Sequence, residues 1–253
     1  MLVFAPLALA HDVWVQSNTR MLHAGNMVHL DLMLGNHGNN HRDFKITGKA
    51  PLEEATFSVT TPDGESYDLL RTLTDLGYTP AEGYWTTRFV TSEPGTYIVS
   101  YTVDRVVHYA PKRTIKSAKT LFVASRSLDE AGQRFDGHDK VLGHRFEIVP
   151  IYNPVIPAGP GIDMKVQVLF DGKPLANQRI SFIPRGTKLD EDFDKDYERM
   201  TDEDGYANFN PAFGNYYLIA AHKETDESGD GYDSTAYSAT LTVQIPHACP
   251  CCG

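Results

Sequence analysis

Cysteine is nearly missing from this chain. All three cysteines, Cys249, Cys251 and Cys252, fall in the last five residues. No disulfide framework can brace the body, so its stability must come from apolar cores, which 253 residues can supply. Past the N-terminus there is no apolar run of ~18 residues, so no segment reads as a membrane span. Positive charge is scarce, with 23 Lys and Arg against 33 Asp and Glu and a net charge of −10. Phosphate binding needs clustered basic side chains, so nucleic acid is not an expected partner. The catalytic motifs are absent too: there is no Gly-x-Ser-x-Gly elbow, no His-Glu-x-x-His, no phosphate-cradling glycine loop and no Gly-x-Gly-x-x-Gly. No catalytic residue is singled out, and the chain is expected not to be an enzyme.

Helical periodicity is absent as well, and strand patterns fill the space. Val13-Trp14-Val15, Val28 to Leu32, Thr56 to Val59, Trp85 to Val90 and Tyr97 to Tyr101 are short runs rich in β-branched and aromatic residues. Turn signals separate them, among them Pro62-Asp63-Gly64 and Glu93-Pro94-Gly95. A polar stretch over 125–143 interrupts the rhythm and reads as a linker. The β pattern then resumes at Phe146 to Pro150, Met164 to Phe170, Arg179 to Ile183, Tyr216 to His222 and Ser238 to Val243. The expected fold is all-β, with two tandem immunoglobulin-like or transthyretin-like β-sandwich domains. The first is placed at 11–124 and the second at 144–246, with a His/Cys-rich tail at 247–253.

Ala8-Leu9-Ala10, at the end of the apolar run 2–10, matches a signal-peptidase site. The leader 1–10 is short and has no Lys or Arg, so it reads as a truncated signal peptide. Export to the periplasm or the exterior follows as an expectation. A cut after Ala10 would leave His11 at the N-terminus, offering an α-amino nitrogen and an imidazole nitrogen to one ion. That donor pair suits Cu(II).

Two resemblances run through the chain. Asp171-Gly172-Lys173-Pro174-Leu175, Thr201-Asp202-Glu203-Asp204-Gly205 and Gly214-Asn215-Tyr216-Tyr217 punctuate strands in the second half. This order resembles the transthyretin-like domain found beside carboxypeptidases, which implies a seven-strand sandwich and no particular activity. The second resemblance rests on an ordered set of motifs. They are His11-Asp12-Val13-Trp14, Gly143 to Pro150, Asn153-Pro154, Gly159, Gly172 to Leu175, Asp202 to Gly205, Ala221-His222 and Tyr237 to Thr242. With these, the chain resembles the NikM-like exported bacterial proteins. That resemblance implies an exported β protein linked to nickel or another transition metal, with an envelope or transporter protein as partner.

The metal-ligating candidates are His11, His37, His41, His222, His247, Cys249, Cys251 and Cys252. Imidazole suits copper, nickel and zinc. His37 and His41 share a Gly/Asn-rich loop, where sites are commonly grafted onto rigid sandwiches. His222 closes an apolar run and reads either as facing a loop-lined site or as a satisfied buried histidine. The tail gathers one imidazole and three thiols within six residues, a soft donor set. Its other readings are a disulfide within the tail, a cross-link to a second chain, or a disordered end. Asp192, Asp194, Asp196 and Glu203 match four ligand positions of an EF-hand loop, but Tyr197 stands where glycine belongs, so a solvated acidic hairpin is expected. Lys112, Arg113 and Lys116 read as a solvated basic loop. The expected function is binding and handling of Cu or Ni, with Zn also compatible. The alternatives are a structural or interaction module of the envelope and, more remotely, a copper-dependent oxidative enzyme.

Overall fold

The computed structural model describes residues 11–36, 45–107, 110–129, 134–190 and 192–247. In the first half the strands are β1 (Asp12–Ser17), β2 (Met21–His23), β3 (Met27–Asn36), β4 (Lys45–Gly48), β5 (Ala55–Thr60), β6 (Ser66–Asp68), β7 (Thr74–Gly77), β8 (Gly83–Val90), β9 (Gly95–Val106) and β10 (Lys112–Ser125). The second half supplies β11 (Phe146–Pro150), β12 (Met164–Phe170), β13 (Lys173–Pro174), β14 (Arg179–Pro184), β15 (Glu198–Met200), β16 (Tyr206–Phe209), β17 (Asn215–Thr225) and β18 (Ser234–Ile245). The only helical element among the described residues is a single 3-10 turn, Leu70–Thr72.

These strands form three sheets. One runs β1-β3-β8-β7, with β4 beside β3. A small sheet runs β11-β12-β13, with β16 beside β12. The third carries nine strands and belongs to both halves of the chain: β15-β14-β17-β18-β10-β9-β5-β6, with β2 on β10. Its seam is a parallel pairing of β10 with β18, from Lys112↔Ser234 to Thr120↔Thr242. The fold is therefore an all-β sandwich in which both halves share one backbone sheet.

The side-chain period of two explains how this sheet serves two cores. Ala118, Phe122 and Ala124 of β10 join Val13, Val15, Leu30, Leu32, Phe57, Val99 and Tyr101 in the first core. Tyr97 stacks on Phe122 there, ring centroids 5.1 Å apart. The alternate residues Ile115, Leu121 and Val123 face the opposite way, into a second core with Phe146, Val168, Phe182, Ile219, Ala239 and Leu241. A strand buried on both faces shows no alternation of polar and apolar residues, and β10 is such a strand.

A third, smaller cluster joins Trp14 and Met33 of the first sheet to Ile183 and Leu218 of the shared one, with Leu189 completing it. Strand β1 thus buries Val13 and Val15 in the first core and Trp14 in this junction, and all six of its residues are buried. Among the described residues it is also an edge strand, paired only with β3. Bare carbonyls on a buried edge need donors, and side chains from across the junction supply them. Thr240 Oγ1 donates to the Val13 carbonyl at 2.7 Å and the Tyr216 hydroxyl to the Ser17 carbonyl at 3.2 Å. Arg185 donates to the side-chain oxygen of Gln16. Thr240→Val should therefore leave a buried acceptor unpaired and cost about 1–3 kcal/mol in urea denaturation; an unchanged midpoint would mean that water replaces the hydroxyl.

Candidate functional site

Among the described residues, predicted site residues come together where β1 begins. His222 is not at a strand end, because β17 continues to Thr225. Within β17, Tyr217, Ile219 and Ala221 face the second core. His222 points to the other side with Leu218, toward β1. There its Nε2 lies 2.8 and 2.9 Å from the two carboxylate oxygens of Asp12. Asp12 is 2% exposed and the His222 side chain 47%. His222 is thus hydrogen-bonded to Asp12 and half-exposed, not buried. Lys116 reaches the same corner from β10 and donates to the His11 carbonyl. Desolvation pulls the Lys116 pKa down, and the Asp12 carboxylate acts against that pull. A buried carboxylate is tolerable where such partners meet it.

The corner therefore collects His11 just before β1, Asp12 from β1, Lys116 from β10 and His222 from β17. As a metal site it is incomplete in side chains. Among the described residues no three His, Cys, Asp or Glu side chains form a group able to hold a metal ion. Asp12 and His222 supply two donors that already engage each other, so a third would have to come from His11.

The other candidates lie elsewhere. His247 is exposed, just past the end of β18, with its Cα so close to Gly214 that a Cβ there would come within 2.3 Å. Ser238, the partner of His222 in the ladder, is seven residues from Ile245, which is roughly 23 Å of strand. The fold thus holds His247 past one end of β18, well away from the His11 corner beside Ser238. His37, His41, Cys249, Cys251 and Cys252 lie outside the described residues.

Two further sequence readings need correction. Lys112, Arg113 and Lys116 are not a solvated loop but the first turns of the ladder in β10. Lys112 pairs with Glu224 at 2.7 Å, and Arg113 bridges Asp104 and Glu227 at 2.5 and 3.0 Å. The acidic stretch is only partly a solvated hairpin. Asp192, Asp196 and Glu203 are exposed, but Asp194 is buried and accepts hydrogen bonds from the backbone N–H of Asp190, Asp196 and Tyr197. Glu198, also buried, accepts from Arg179, Ser181 Oγ and the Asp194 N–H. These carboxylates organise their own loop.

One buried charge pair went unread in the sequence. Lys119 and Glu147 meet at 2.8 Å with side chains 3% and 1% exposed. The Glu147 carboxylate also accepts the N–H groups of Leu142, Gly143 and His144 at 2.8, 3.0 and 3.1 Å. Burial alone would raise its pKa, but the Lys119 ammonium and these donors hold it below the ordinary value. Locally the sequence offered only a glutamate inside the run Phe146 to Pro150, with no strand read around Lys119.

Among the described residues no helix is long and apolar enough to cross a membrane. No curated protein matches the chain. Distant likenesses to solved structures exist. The D0-D1 domain of intimin is 14% identical over 91% of this chain and 96% of that one, at a TM-score of 0.26. The adhesin InvE of Yersinia pseudotuberculosis is 12% identical over 93% of this chain and 58% of its own, at 0.24. A DUF4785 family protein of Legionella pneumophila is 9% identical over 82% of this chain and 50% of its own, at 0.28. Scores this low carry no argument about what the chain does. The whole-family match is of another kind: residues 8–225 fit one family model, which takes in the His11 corner, the shared sheet through β17 and the Lys119–Glu147 pair, and the chain belongs to that family, a domain of unknown function (DUF4198).

Proposed function

We propose that this chain is an exported, non-enzymatic envelope protein that binds a transition metal ion, copper or nickel, at the His11 corner. The observation that carries this reading is the meeting of His222 with Asp12 next to His11, across 210 residues of sequence. On a chain cut after Ala10, His11 would bring an amine and an imidazole to a corner that already holds an imidazole and a carboxylate. Nitrogen-rich donor sets of this kind suit Cu(II) and Ni(II). The resemblance to NikM-like proteins adds support, and an envelope or transporter protein would then receive or deliver the ion. The Lys116 ammonium opposes a cation, so binding should strengthen as that amine loses its proton.

The test is calorimetry with Cu(II) on chains that begin at His11. Adding one glycine before His11, or replacing His222 by alanine, should weaken binding at least tenfold, about 1.4 kcal/mol each. Equal affinity for the native and extended chains would sink the reading. The interaction-module reading, supported by the odd number of tail thiols, would then stand. It expects a ladder of cross-linked species on a non-reducing gel, lost when Cys249, Cys251 and Cys252 become serine.

A further inference from the structure

We infer that residues 134–144 form a proton-released clasp, closed over the second core at neutral pH and opened in acid through His144. The segment has no strand of its own. It is held by discrete contacts. Phe135 and Leu142 pack on the second core. Asn153 Nδ2 donates to the Phe135 carbonyl at 2.8 Å, and His138 Nε2 lies 3.1 Å from the Ile151 carbonyl. At its end the chain wraps the Glu147 carboxylate with three consecutive N–H groups. That carboxylate is fixed from behind by Lys119 of β10. Ser117 Oγ, one ladder step away, holds the Phe146 carbonyl at 2.5 Å. Closure of the clasp is thus tied to the strand that both cores share.

The weak point of this arrangement is His144. Its Nδ1 is buried and has no hydrogen-bond partner among the described residues. The charged groups that face its ring are Glu147 on β11 and Lys119 on β10, the first favouring and the second opposing an imidazolium. Desolvation outweighs the Glu147 attraction and holds the pKa near 4, against an ordinary 6.5. An opened clasp returns the ring to water, where it takes a proton near its ordinary value. The open form therefore binds the proton more tightly, and falling pH favours it. The effect sets in below 6.5 and saturates near 4. Opening would bare Phe135, Leu142 and the flank of the second core beneath them, while the shared sheet stays paired.

Hydrogen exchange of the full chain, read by mass spectrometry and corrected for intrinsic rates, tests this. Protection of peptides spanning 134–144 should fall about thirtyfold from pH 7.5 to pH 5 relative to β17 and β18, the factor that pKa values of 6.5 and 4 imply. His144→Phe keeps the ring buried without a titrating group and should flatten that fall. Glu147→Gln removes the charge that holds the clasp and should open it already at pH 7.5. The inference fails if His144→Phe and the native chain lose protection alike. It also fails if 134–144 opens only together with β17 and β18, or if Glu147→Gln folds and stays as protected as the native chain.

Discussion

Lys119→Ala is expected to cost about 3–5 kcal/mol in urea denaturation, the loss typical of leaving one member of a buried ion pair alone. The Glu147 carboxylate is fully buried and would keep only the three backbone donors of residues 142–144. The cost arises from the stranded charge rather than from a strong net attraction. The double variant Lys119→Met, Glu147→Gln should therefore recover most of the loss, because no charge is left buried and methionine fills the lysine's volume. A loss below about 1 kcal/mol for Lys119→Ala would mean that water reaches Glu147, contrary to its burial.

Trp14→Ala should be comparably damaging, about 3–5 kcal/mol, since a large fully buried side chain leaves a cavity that rigid strands cannot close. Trp14 is 1% exposed and meets Ile183, Leu189 and Leu218, all from the second half of the chain. The substitution would empty the junction between the halves while Val13 and Val15 keep their places in the first core. Trp14→Phe should cost clearly less. If alanine proves as mild as phenylalanine in denaturant titrations, the junction collapses onto the smaller residue and does not lock the halves together.

Most of the strands were legible from residues alone. The runs at Val28 to Leu32, Tyr97 to Tyr101, Met164 to Phe170 and Ser238 to Val243 all lie within observed strands. They alternate, or they are dense in β-branched residues, and turn signals bound them. Strand β10 was not legible, although it is the longest at 14 residues. Its basic residues look like a surface when their partners are unseen. Lys112 is matched by Glu224, Arg113 by Asp104 and Glu227, and Lys119 by Glu147. The β2 edge segment, three residues long, was likewise too short to carry a pattern.

The candidate site divides in the same way. His11 stood out through the junction after Ala10, and His222 through the apolar run before it. Neither position says that the two meet. Their meeting depends on β17 lying across β18 and β10 and on β1 closing over that face, which is a matter of strand order and not of local sequence. The sequence by itself determined an all-β chain without disulfides in its body, because strand periodicity and cysteine placement are local facts. The tertiary structure alone decided that both halves share one sheet through β10 and β18, that Glu147 is clasped against Lys119, and that His222 and Asp12 stand together at the start of β1. Each of these joins residues far apart in the chain, and only the packing of sheets can choose such partners.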